Sequence, residues 1–114
     1  MQFTGTRAKS NIESAKAICQ GISAEGGLFV PKTFPILSQE VLEKMEDMSY
    51  KERAFEVLRL YLTDFTDEEI MYCVSGAYDD TFDNNDPAPI VEVKSGENIL
   101  ELWHGPTCAF KDMA

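Results

Sequence analysis

Ile90-Val91-Glu92-Val93-Lys94-Ser95-Gly96-Glu97-Asn98-Ile99-Leu100-Glu101-Leu102-Trp103 reads as two apolar arms around a polar centre. Both arms alternate with period two, and Lys94-Ser95-Gly96-Glu97-Asn98 supplies turn residues, so the stretch predicts a β-hairpin. Upstream, the period becomes helical. Val41, Leu42, Met45 and Met48 mark one amphipathic helix. Ser49-Tyr50-Lys51-Glu52 is a capping box opening a second helix with Ala54, Phe55, Val57, Leu58, Tyr61 and Leu62 on its apolar face. Thr66-Asp67-Glu68-Glu69 is another box, followed by Ile70, Met71, Cys73, Val74 and Ala77, and its acids complement the helix dipole. These stripes are better read as core faces than as a cofactor groove, since a small domain must bury them. Helices over a short sheet make the expected fold class α+β.

Towards the N-terminus, Ser10-Asn11-Ile12-Glu13 also has capping-box spacing. Ile12, Ala15, Ile18, Cys19 and Ile22 then predict a helix over about 11–21. The Glu25-Gly26-Gly27 turn leads to a short strand, Leu28-Phe29-Val30, stopped by Pro31.

The chain has 114 residues, enough for one small domain. Its 10 Lys+Arg against 20 Asp+Glu give a net charge of −10. That balance argues against nucleic acid and anionic membranes, which need a cationic surface. No apolar run reaches the roughly 18 residues of a membrane span, and Met1-Gln2-Phe3-Thr4-Gly5-Thr6-Arg7 has no secretory apolar region, so we expect a cytoplasmic protein. Cys19, Cys73 and Cys108 are odd in number and widely spaced, which excludes a disulfide framework; Cys19 and Cys73 are expected as buried or half-buried thiols. One histidine and no paired cysteines leave no zinc site, and no metal is expected. Residues 78–89 are acidic, turn-rich and proline-terminated, with no Lys or Arg between Arg59 and Lys94. The glycine and glutamate spacing of a calcium loop is absent, so they read as a solvated linker.

After Trp103 comes a turn, His104-Gly105-Pro106-Thr107, and Thr107 is placed to cap a helix beginning at Cys108. Lys111 then falls in the first helical turn. The dipole there disfavours an ammonium, flanking Phe110 and Met113 would add desolvation, and a neutral amine is what Schiff-base chemistry uses. An inward-pointing Asp112 would act the other way. By chemistry alone, an exposed structural lysine is the simpler reading. The seven helical residues are too few for a stable helix, so we expect the chain to be a fragment whose remainder completes this element.

Leu100-Glu101-Leu102-Trp103-His104-Gly105-Pro106-Thr107-Cys108-Ala109-Phe110-Lys111-Asp112 closely resembles the lysine motif of threonine synthases: an apolar strand, Phe/Trp-His-Gly-Pro-Thr, a variable residue, then Ala-Phe-Lys-Asp. Thr4-Gly5-Thr6-Arg7 resembles their Ser-Thr-Arg-Gly opening, with Gly5 where Ser is usual and Ala8 where Gly is. Glu25-Gly26-Gly27-Leu28-Phe29-Val30-Pro31 is similar to their Gly-Gly-Leu-Phe-x-Pro segment. Asp64-Phe65 and the Ala77-Tyr78 to Phe82 stretch fit as well, so the resemblance covers the whole chain.

The resemblance implies a fold-type II pyridoxal 5'-phosphate (PLP) enzyme converting O-phospho-L-homoserine and water to L-threonine and phosphate. Lys111 would be catalytic and bind the cofactor as a Schiff base. Thr107 reads as a helix cap ahead of a phosphate or substrate contact. His104 has two readings, a hydrogen-bonder in the site or a residue that fixes the turn. Phe110 reads as packing, Cys108 as the motif's variable position, Asp112 as a partner of backbone N–H groups, and Arg7 as half of a surface ion pair. The family places its phosphate loop and carboxylate-binding residues after the lysine, so the 114 residues alone are expected to be inactive. Residues 1–86 would form the N-terminal domain and 87–114 the start of the PLP-binding domain. The missing C-terminal portion is the expected partner, and the bare hairpin edge suggests self-association. The alternatives are a threonine synthase-like phospho-lyase and a non-enzymatic cap or interaction domain.

Overall fold

A computed structural model describes residues 1–113. A three-stranded antiparallel sheet is built from β1 (Gln2–Gly5), β2 (Ile12–Glu13) and β3 (Phe29–Pro31), in the order β2-β1-β3. Phe3 is in register with both Ile12 and Pro31. Helix α1 (Ser14–Gln20) packs on this sheet. Next come α2 (Gln39–Met45), α3 (Tyr50–Tyr61) and α4 (Asp67–Tyr78), of which α3 and α4 pack on each other. Strands β4 (Ile90–Lys94) and β5 (Glu97–Leu100) form a separate hairpin. The α+β architecture stands as expected from the sequence.

The helix pair follows its local signals. Ser49 accepts from the Glu52 N–H (3.3 Å), while the Ser49 N–H donates to the Glu52 carboxylate (2.7 Å). Thr66 and Glu69 repeat the exchange at 3.2 and 2.8 Å. Ile70 and Val74 are buried at 2% and 1% exposure and Ala17 at 7%.

The first helix departs from expectation. Ser10 does not cap it. The Ser10 hydroxyl accepts from the Gly5 N–H (2.8 Å), and its own N–H donates to the Thr4 hydroxyl (3.0 Å). Residues 12–13 are drawn into β2 by pairing with β1, a strand that Gln2-Phe3-Thr4-Gly5 did not announce. Helix α1 therefore starts at Ser14, and its N-cap residue Glu13 makes no side-chain cap. The cap comes from Asp64, in the loop between α3 and α4. Its carboxylate accepts from the Ala15 N–H (2.8 Å) and from the Ser14 hydroxyl. Burial works to raise the Asp64 pKa, but the Ser14 hydroxyl and then the Ala15 N–H outweigh it and hold the carboxyl below its usual value.

The hairpin forms, with Ile90 opposite Leu100 and Val91 opposite Ile99, but pairing of Lys94 with Glu97 tightens its turn to Ser95-Gly96, so β5 ends at Leu100 and residues 101–103, expected in the second arm, lie outside it. Register slips between Glu92 and Lys94, leaving Val93 as an extra residue, and Gly96 turns the chain at φ 80°. Both strands are exposed along their whole length. Phe34, Ile36, Tyr72 and Phe110 are bare as well. The Cα radius of gyration is 16.5 Å, against about 13 Å for a compact domain of this length. The same openness leaves Cys19 and Cys73 exposed, not buried as expected, because no second layer covers the faces that carry them.

Candidate active site

The segment after β5 turns back onto residues 79–89. The Glu101 N–H donates to the Pro89 carbonyl (2.9 Å), and the Asp83 N–H donates to the His104 carbonyl (3.0 Å). Between these backbone bonds lies the His104 ring. Its Nδ1 is 2.6 Å from an Asp83 carboxylate oxygen, and its Nε2 is 2.6 Å from a Glu101 carboxylate oxygen. A neutral imidazole has one N–H and one lone pair, and a lone pair cannot face a carboxylate at that distance favourably. Two carboxylates therefore select the imidazolium, with both nitrogens donating. The hydrogen bond that the ring donates to Glu101, then the one it donates to Asp83, raises the His104 pKa above its usual 6.5. The Trp103 ring stacks alongside at 5.8 Å. The ring thus lies at the entry to the turn, engaged by these two acids.

Residues 79–89 are correspondingly not a free linker. Pro87 is fully buried. Phe82 stacks on Tyr78 at 5.9 Å, and Tyr78 meets Tyr50 edge-on at 5.0 Å. Lys51 Nζ lies 2.5 Å from Asp79. Asp79 and Asp83 are spent on contacts with the two flanking regions, which a run of Asp and Asn in sequence does not reveal.

Beyond His104, Gly105 sits against Asp112. A Cβ at residue 105 would lie 2.5 Å from the Asp112 Cβ, so only glycine fits without displacing that side chain. Asp112 folds back on the turn. It accepts from the Thr107 N–H (2.9 Å) and from the Thr107 hydroxyl (2.7 Å). The Thr107 hydroxyl, foremost, holds the Asp112 carboxyl below its usual range. The expected cap is thus inverted, with the threonine donating and the aspartate accepting. Cys108 takes φ 54°, a left-handed conformation unusual for a residue with a Cβ.

No α-helix follows among the described residues. Phe110–Met113 make a single 3-10 turn, too short for the helical ladder the sequence suggested, and Lys111 lies exposed on it. Phe110, at 67% exposure, does not enclose it. Because Asp112 is engaged by Thr107, it is not paired with the lysine. Among the described residues, Lys111 Nζ has no hydrogen bond or ion pair. A primary amine with no partner among the described residues, on a braced turn, is the nucleophile that covalent attachment of a carbonyl cofactor needs, so Lys111 fits that part of a PLP site, while the enclosure expected from Phe110 is not formed among the described residues.

Elsewhere, Arg7 forms no ion pair among the described residues; its guanidinium reaches the Glu25 carbonyl at 3.5 Å. No cluster of three His, Cys, Asp or Glu side chains there is arranged to hold a metal. No helix there is long and apolar enough to cross a membrane.

The family model described as threonine synthase N terminus matches residues 2–78. The chain belongs to this family. Its relatives extend the match through the Lys111 turn. The threonine synthase of Schizosaccharomyces pombe is 38% identical over 117 aligned positions, covering 100% of this chain and 23% of that protein. Threonine synthase-like 2 of Xenopus laevis is 32% identical, covering 100% of this chain and 25% of that protein. A crystal structure of PLP-bound threonine synthase from Brucella melitensis superposes with a TM-score of 0.89 at 32% identity, over 98% of this chain and 24% of that one. The chain thus spans about a quarter of the length of the relatives it matches, and its fold is that of the N-terminal region of threonine synthase structures.

Asp64, Asp83 and Glu101 were not identified as structurally decisive from sequence. Glu101 lay inside the motif, and Asp64 in a stretch resembling the family. Asp83 was one acid among several, and nothing in its spacing set it apart.

Proposed function

We propose that this chain is the N-terminal part of a PLP-dependent threonine synthase, which converts O-phospho-L-homoserine and water to L-threonine and phosphate. The supporting observation is Lys111: an unpaired amine on a turn braced by Thr107 and Asp112, in a family whose name carries the activity. When bound, PLP supplies an electron sink for charge developing at the substrate carbons. Lys111 Nζ would hold the cofactor, and as a free amine it would move protons to and from those carbons. Phosphate leaves from Cγ, and water adds at Cβ. His104 shapes the turn, and Thr107 fixes it by way of Asp112.

We place the junction between the N-terminal domain (1–86) and the start of the PLP-binding domain (87–114) in the segment joining α4 to β4. The bare hairpin and the small core support a reading in which the 114 residues lack the activity by themselves and associate with further protein, their own longer chain or a second copy. A cytoplasmic location accords with the acidic composition.

The test is product analysis on the protein at its native length with O-phosphohomoserine. Threonine and phosphate are expected. Lys111→Ala should reduce their formation by roughly 10²–10⁴-fold, the range for losing a positioned acid-base group. Formation of 2-ketobutyrate instead would assign a phospho-lyase, and no turnover would favour a non-enzymatic domain. The 114 residues mixed with PLP should give no stable absorbance band of a lysine-bound cofactor.

A further inference from the structure

We infer that residues 79–89 are a strap that locks the Lys111 turn to the helix pair through His104, with Asp83 and Glu101 as positioning residues. At one end the strap is tied to the helices by Lys51–Asp79 and by the Tyr50, Tyr78 and Phe82 rings. At the other end His104 gathers Asp83 from the strap and Glu101 from the segment after β5, and the Asp83 N–H returns a bond to the His104 carbonyl. His104 is the residue immediately before the Gly105–Thr107 turn that Asp112 closes. Fixing its backbone and ring therefore fixes the entry to Lys111.

The charged groups that face the ring are these two carboxylates. With both N–H groups committed to them, His104 has no donor left for a substrate. Its side chain is only 13% exposed and that of Glu101 20%, whereas the Asp83 side chain is 74% exposed, so water competes for the Asp83 carboxylate more than for Glu101. The joint is strongest while the ring is charged. Its stabilisation is complete below the ordinary 6.5 and is lost as pH rises through the ring's raised pKa in the folded chain. At that point one nitrogen turns a lone pair towards a carboxylate.

The strap rests on the proposed function only in naming Lys111 as the residue being positioned. Its test uses no turnover, so the two can fail separately. The chain has a single histidine, which makes the ring-nitrogen resonances unambiguous. The titration midpoint should lie above 6.5, with both nitrogens protonated below it. Asp83→Asn and Glu101→Gln should each lower that midpoint. Limited trypsin digestion reads the turn directly, by cleavage after Lys111, with cleavage after Arg59 in α3, which makes no contact with the strap, as the reference. Relative to Arg59, cleavage after Lys111 should rise with pH in the parent chain and stay flat in His104→Gln. It should become roughly tenfold faster in Asp83→Ala, the loss of one charge-assisted bond, and return towards the parent rate in Asp83→Glu. A midpoint at or below 6.5 would overturn the inference. So would equal acceleration at Arg59 and Lys111 in Asp83→Ala, or no acceleration at either.

Discussion

The helix pair and the hairpin reach order by opposite routes. Helices α3 and α4 carry their own instructions: two reciprocal capping boxes, acids at their N-terminal turns, and on α4 the buried Ile70 and Val74. Strands β4 and β5 satisfy each other's backbone and bury almost nothing, with Ile90 at 71% and Val93 at 55% exposure. A hairpin alone is marginal in water. This one is held at its base by the strap and by the Pro89–Glu101 backbone bond. The difference separates what a sequence specifies locally from what it leaves for other surfaces to complete.

The sharpest way to break this contrast is a paired truncation. Ile70→Ala removes a side chain with 2% exposure and should cost about 2–4 kcal/mol in urea unfolding followed by helical circular dichroism. Ile99→Ala, at 44% exposure, should change the same transition by no more than about 0.5 kcal/mol. Equal costs would mean that the hairpin contributes as much core as the helices.

A smaller effect is expected where the N-terminal sheet meets the helix pair. Asp64→Ala removes the side-chain cap that α1 has among the described residues and should cost about 1–2 kcal/mol. The carboxyl has its pKa depressed on folding, so its contribution is present above the ordinary value of 3.8. It is lost as pH falls through the lower folded value. Acid unfolding of the parent chain should therefore begin to resemble the variant only below that ordinary value. A constant gap between the two across the acid range would remove Asp64 as the titrating cap.

The least perturbing test lies at Cys108. Cys108→Gly relieves a left-handed backbone, while the unfolded chain gains freedom, so the net change should be within about 1 kcal/mol, in the stabilising direction. Because Cys108 is exposed, no packing is lost with the thiol. Thermal unfolding that moves down by several degrees would show that the thiol itself holds the turn.

These outcomes bear on what could be read before the structure. The boxes at Ser49 and Thr66 were legible because both partners sit three residues apart on one helix. The hairpin was legible from period two and its glycine turn. The same box spacing at Ser10 misled. Pairing of Phe3 with Ile12 outweighed a local cap, and strand β1 carried too few β-forming residues to announce itself. The Lys111 motif was visible as a string, but its bracing was not. Thr107 and Asp112 meet across a turn, and Asp83 reaches His104 from 21 residues away. Contacts between distant segments leave no periodic trace, and an acid that clamps a histidine looks the same in sequence as one dissolved in water.

The Asp64 carboxylate sets an order of assembly. Helix α1 has seven residues and no side-chain cap from its own N-cap residue, far short of the length that nucleates unaided. Its partner is 49 residues downstream, between two helices that cap themselves. Closing that loop costs chain entropy before any bond returns it. The first helix in the chain should then be late to form in time, waiting for α3 and α4 to hold Asp64 in place. In rate measurements, Ser14→Ala should speed unfolding and leave refolding nearly unchanged, whereas core changes at Val74 slow refolding.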